Sequence, residues 1–183
     1  GSILRRGGAF FMRRTFRGNP LYAAVFDEYL HSVFTHGYSS EYFVEGGRSR
    51  TGRTLSPKAG MLAMTVRSYL RDSKKPMVFV PVYTGYEKVF EEKSYLGELR
   101  GKAKKKESLL DVLGTLRSFK KSFGKVNVTF GEPIHLSPYL EERHPGWSNQ
   151  DYEACNYRPD WAPELVDELA TTVVTEINRA ASV

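Results

Sequence analysis

Cysteine is nearly missing from this chain: Cys155 is the only one in 183 residues, so no disulfide can form within it. A reducing, cytosolic setting is the simplest expectation, and a lone thiol gives no reason to expect cysteine catalysis. Long apolar runs are also missing. The longest candidate, around Met77 to Tyr83, falls far short of the roughly 20 residues that span a bilayer, which leaves peripheral attachment through basic and apolar surface open. Excess acid is absent too, for the net charge is +6 and the sequence pI about 9.4. That balance favours anionic partners without choosing among phosphorylated metabolites, acidic proteins, lipid headgroups and nucleic acid. Nucleic acid is disfavoured because neither an aromatic stacking platform nor a recognised binding motif is evident. Internal repeats, low-complexity tracts and domain boundaries are likewise not apparent. Residues 1–183 therefore read as a single domain, long enough to bury about 70% of the unfolded surface.

What is present alternates. Gly8-Ala9-Phe10-Phe11-Met12-Arg13-Arg14 reads as an apolar strand ending in arginines. Asn19 and Pro20 then supply an N-cap and a first-turn proline, and Leu21, Val25, Tyr29 and Val33 recur four apart until Gly37, predicting a helix that covers a sheet. Glu41 to Val44 reads as a second strand, Ser56-Pro57 opens a helix with Leu62, Val66, Tyr69 and Leu70 on one face, and Val78 to Tyr83 is a third strand interrupted by Pro81. Proline in a strand removes a ladder donor and points to an edge, a bulge or a strand end. Glu87 to Lys121 reads as one or two helices with a basic interruption at Lys102-Ala103-Lys104-Lys105-Lys106, and Lys125 to Phe130 as another strand. Ser137 to Asp160 reads as an irregular excursion, after which Leu165, Leu169, Val173 and Ile177 mark a closing helix. The expectation is an α/β fold, a mixed or largely parallel sheet with covering helices, whose strand ends and the loops leaving them form the ligand crevice.

The densest chemistry lies at Phe43-Val44-Glu45-Gly46-Gly47-Arg48-Ser49-Arg50-Thr51-Gly52-Arg53, where a strand runs into a turn holding one carboxylate, three glycines and three arginines. Glycine lets backbone approach a ligand closely, and arginine presents a planar fork that grips phosphate oxygens through parallel hydrogen bonds. Such forks repel one another in a short turn unless an anion joins them. The turn reads as a site for a small phosphorylated substrate. Glu45 either orients an arginine, accepts a hydrogen bond from a substrate hydroxyl, or simply holds Arg48 or Arg50 in place. Gly46 and Gly47 either keep the turn open for a ligand or serve a plain tight turn.

Three segments, GAFFMRRTFRGNPLY, YFVEGGRSRTGRTLSPKAG and VPVYTGYEKV, resemble in order and spacing the second, third and fourth sequence blocks of the glycerolipid acyltransferases. ELRGKAKKKESL and VNVTFGEPIHL extend the resemblance along nearly the whole chain, most closely to the bacterial membrane-bound branch of that family. The resemblance implies transfer of an acyl group from acyl-CoA or acyl-carrier protein to the 1-hydroxyl of glycerol-3-phosphate, giving lysophosphatidic acid. No metal and no resident cofactor would be needed, and the work would be done peripherally or monotopically at an anionic membrane surface, on the cytoplasmic face of the bacterial inner membrane. Arg14 and Arg48 would bind the phosphate, with Arg13 and Arg50 in support and Glu45, Gly46, Gly47 and Ser49 completing the substrate turn. Val80, Pro81, Val82 and Tyr83 would line the acyl site. The Lys102 to Lys106 run would meet anionic lipid or the acidic carrier protein, or else is a solvated helix end.

The chain departs from the family at its first block, a His followed by an Asp five positions on. Five positions after His31, His36, His135 and His144 stand His36, Glu41, Leu140 and Asn149. In the family that His is the proposed general base and the Asp its orienter. The chain starts at Gly1-Ser2 with neither an initiator Met nor a signal peptide, so the expectation is the carboxy-terminal part of a catalytic domain, inactive by itself. Dihydroxyacetone-phosphate or lysophosphatidate acyltransferase, and a non-enzymatic polyanion-binding α/β domain, are the alternatives.

Overall fold

The computed structural model describes residues 2–13, 15–47, 49, 53–87, 125–152 and 159–181. After the short helix α1 (Ser2–Arg6), residues 8–13 and 15–18 lie over α2 (Pro20–Thr35) and are held there by aromatic rings. Phe10 meets Tyr29 edge-on at 5.5 Å, and Phe16 lies 5.4 Å from both Tyr22 and Phe26. Asn19 caps α2 as its sequence demands, its side chain accepting from the Tyr22 amide at 3.0 Å. The helix ends where Gly37 donates to the Phe34 carbonyl and Tyr38 to that of Val33.

The face of α2 that packs differs from the expected one. Leu21, Val25 and Tyr29 are exposed, whereas Phe26, Asp27 and Leu30 are buried. The partner of α2 is a second helix, α3 (Gly60–Arg71), rather than a sheet. The interface carries a polar seam: Asp27 to Arg67 at 3.5 Å, Glu28 to Arg71 at 2.8 Å, and His31 Nδ1 to Ser68 Oγ at 2.9 Å. Polar groups at i and i+4 of one helix meet their complements on the other, and a seam of that kind escapes a search for apolar stripes. α3 starts a few residues after Ser56-Pro57 and buries Leu62, Val66, Tyr69 and Leu70 as expected.

The sheet is small. The apolar run 78–86 divides at Pro81 into β1 (Val78–Phe79) and β2 (Val82–Tyr86); β3 (Val126–Phe130) and β4 (Ile134–His135) follow. β1 pairs with β4 and β2 with β3, both antiparallel. The described residues thus form a mixed α/β structure with antiparallel ribbons, and no parallel pair occurs among them. Pro81 acts as a strand end, since it lacks an amide to donate, while its carbonyl takes the Gly131 amide at 2.8 Å. Of the expected strands Gly8 to Arg14 and Glu41 to Val44, the described residues have no ladder partner among the described residues and are loop and turn.

The core lies where α3, α4 (Leu136–Arg143) and α5 (Ala162–Ala181) meet, with Leu62, Leu136, Leu140, Leu165 and Leu169 fully buried. α5 places Leu165, Leu169 and Val173 in the core with Ile177 packed against it, the stripe its sequence specifies. The irregular excursion is partly ordered: α4 opens it, and a 3-10 turn, Trp147–Asn149, buries Trp147 against Tyr69 at 5.6 Å. Prolines at 138 and 145 obscured α4, because Pro138 lies in its first turn, where proline is tolerated. One face of the β2–β3 ribbon points at α5 through Tyr83 and Thr129, and the other exposes Val82, Tyr86, Val126, Val128 and Phe130. The helices expected over residues 87–121 fall almost entirely outside the described residues.

Candidate functional site

The Gly/Arg turn is built on the buried Val44. Its carbonyl accepts the Lys58 amide at 2.7 Å, and the Glu45 carboxylate takes the Leu55 amide at 2.7 Å through Oε2. These two bonds tie the start of the loop to its end, so Glu45 serves as the clasp of the turn. Of the openings left by the sequence, the observed contact is with backbone. Gly46 is required here. It sits at φ +58°, and a Cβ would lie 2.8 Å from Lys58 Cγ. The far end of the turn is held as well, by Thr54 Oγ1 donating to Asn178 Oδ1 of α5 at 2.6 Å.

Of the residues nominated from sequence, Glu45, Gly46 and Gly47 share this turn and Ser49 follows them. Arg14, Arg48 and Arg50 lie outside the described residues, as does the Lys102 to Lys106 run. Arg13 is carried on a different support: its amide donates to the Tyr22 hydroxyl at 3.0 Å, and its guanidinium lies 4.7 Å from the centre of the same ring. A cavity of about 410 Å³ opens beside it, lined among others by Arg5, Phe10, Phe11, Tyr22 and Tyr29. In the proposed acyl segment the side chains alternate. Pro81 is fully buried and Tyr83 half-buried, while Val80 and Val82 are exposed on the opposite face. Thr54, Lys58 and Asn178 escaped the sequence reading. Thr54 and Lys58 stand just past the arginines, but nothing in a pattern of spacing links Thr54 to a residue 124 positions away.

Tyr42 stands at the root of the turn and packs on the core. Burial pushes its phenol from 10.0 up to about 12, with the neighbouring Thr65 hydroxyl acting against the shift. The folded-state value lies above the unfolded one, so this contribution is intact below pH 10 and is lost as pH rises toward 12. Over that window the loss should be roughly 2 kcal/mol. Tyr139 is raised too, also mainly by burial, so the informative quantity is the difference between wild type and Tyr42→Phe. Urea melts at about pH 8 and about pH 12 should show the variant losing less stability than wild type by that amount. Equal losses would mean that the Tyr42 phenol ionises as freely folded as unfolded.

Two comparisons define the class. A family described as "Acyltransferase" matches residues 1–85, and one described as "Glycerol-3-phosphate acyltransferase C-terminal region" matches residues 95–183. Both descriptions are of acyltransferases, and together the two matches take in nearly the whole chain. Over all 183 residues it is 60% identical to proteins named glycerol-3-phosphate acyltransferase from Pseudomonas paraeruginosa and Pseudomonas aeruginosa, and 58% identical to one from Pseudomonas putida. The chain is thus similar along its whole length to glycerol-3-phosphate acyltransferases and spans 22% of the length of these relatives. No described helix is long and apolar enough to cross a membrane.

Proposed function

We propose that this chain is the glycerol-3-phosphate-binding part of a 1-O-acyltransferase that takes its acyl group from acyl-CoA or acyl-carrier protein and makes lysophosphatidic acid for phospholipid synthesis. The observation that carries the reading is the clasped Gly/Arg turn, closed by Glu45 on the Leu55 amide, within a chain 60% identical throughout to proteins bearing that name. In the reaction the primary hydroxyl oxygen attacks the thioester carbonyl, a C–O ester bond forms, the C–S bond breaks, and the hydroxyl proton ends on the departing thiol. Arginine forks on the phosphate fix one end of the substrate, and a base supplied from outside these residues acts at the other. Arg14, Arg48 and the turn form the phosphate end, and the segment Val80 to Tyr83 faces the acyl group. The exposed apolar side chains Phe11, Leu21, Val25 and Phe43, together with the basic balance, suit work at the anionic cytoplasmic surface of the inner membrane.

In the intact protein, thioester-dependent acylation should saturate with glycerol-3-phosphate, and dihydroxyacetone phosphate and lysophosphatidate should compete weakly or not at all. Preferred turnover of either competitor would move the protein to the corresponding sister activity. Polyanion binding that falls steeply with salt and ignores glycerol-3-phosphate would replace the enzyme reading with a generic electrostatic one.

A further inference from the structure

The last turns of α5 touch both segments to which the proposed function assigns substrate. Its apolar stripe seats the helix in the core as far as Ile177. At Glu176 the helix backbone comes so close to the sheet that a Cβ on Gly131 would stand 3.3 Å from the Glu176 carbonyl oxygen and 3.3 Å from Pro81 Cβ. Gly131 in turn donates to the Pro81 carbonyl. Two residues along, Asn178 accepts the Thr54 hydroxyl at 2.6 Å. Within three residues, then, α5 abuts the strand break at Pro81 and the far end of the Gly/Arg turn. The Glu45–Leu55 bond closes the turn upon itself, and Val44 roots its near end in the core. The Thr54–Asn178 bond is a contact that fixes the turn against the helix, and so against the sheet.

We infer that Asn178 is a positioning residue, acting through Thr54 to aim the Gly/Arg turn at the acyl-bearing strand, so that α5 sets the separation between the phosphate and acyl ends of the reacting pair. The inference rests on the glycerol-3-phosphate reading. Neither residue touches the reacting atoms, and both are exposed, so replacing them leaves the core intact.

The test uses the intact protein and the variants Asn178→Ala, Thr54→Val and Thr54→Ser, with initial rates measured against glycerol-3-phosphate and acyl thioester separately. Asn178→Ala and Thr54→Val should each raise KM for glycerol-3-phosphate about tenfold, less than the ~100-fold that a 1 Å misplacement can cost. KM for the thioester should stay within about twofold. Thr54→Ser keeps the hydroxyl and should behave as wild type, and the double variant should be no worse than either single one. Unchanged KM for glycerol-3-phosphate in both loss variants would overturn the inference, as would parallel changes in both KM values with a lowered melting temperature, the mark of a bond that only holds the fold together. Failure of the unmodified protein to saturate with glycerol-3-phosphate would overturn the functional reading itself and is distinguished by needing no variant.

Discussion

Assayed by itself, the 183-residue chain should acylate glycerol-3-phosphate at least two to four decades more slowly than the intact protein, the range that a positioned general base contributes. None of its four histidines stands five residues before an aspartate, and the two with described side-chain bonds are engaged in other ways. His31 shares a hydrogen bond with Ser68 in the α2–α3 seam, and His36 bonds the Ser32 carbonyl on its own helix. His144 lies stacked on Trp161 with ring centres 4.2 Å apart. His135 belongs to β4, paired with Val78. The assay supplies acyl thioester and glycerol-3-phosphate to the chain alone and follows thiol release, with the intact protein alongside. Circular dichroism establishes that the chain is folded, so that a negative result refers to chemistry. Turnover at the intact rate would place the base among the residues in hand and overturn the assignment of roles.

The helices were legible to the extent that their patterns were local. Asn19-Pro20 fixed the start of α2, and the stripe of α5 named its buried face correctly, because a cap and a period are properties of adjacent residues. Which stripe of α2 would be buried was not legible. Leu21, Val25 and Tyr29 form as regular a row as Phe26 and Leu30, and the choice is made by α3, whose Arg67, Ser68 and Arg71 answer Asp27, His31 and Glu28. Strand identity failed for a related reason. An extended apolar segment becomes a strand only when another lies beside it. Val82 to Tyr86 has Val126 to Phe130, whereas Gly8 to Arg13 has rings and a tyrosine hydroxyl instead.

The candidate site divides along the same line. Residue types and order sufficed to single out the turn and to suggest phosphate as its ligand, since the chemistry of arginine forks and glycine is carried by composition over a few positions. Its supports were hidden. Leu55 contributes only a backbone amide, which any residue but proline would supply, and Asn178 reaches Thr54 across 124 positions. Glu45, which from sequence had several roles open to it, has its observed bond to backbone.

Replacing Arg48 should separate a shaped phosphate site from a generic basic patch. A charge-assisted hydrogen bond contributes about 1.5 to 3 kcal/mol, so Arg48→Ala should weaken glycerol-3-phosphate binding by about one to two decades. Arg48→Lys keeps the charge, yet an ammonium cannot form the two parallel bonds of a guanidinium fork, and it should recover only a minor part of that loss. A generic patch responds to charge alone and would accept lysine in full. Binding is therefore measured for the wild type and both variants in the intact protein, at low and at moderate salt. Surface attraction fades as the Debye length shrinks to about 8 Å at physiological ionic strength, whereas a bidentate contact in a closed turn is screened less, so the gap between arginine and lysine should persist as salt rises. Full recovery by lysine, or indifference to both changes, would remove Arg48 from the phosphate site and leave the clasped turn with a structural role.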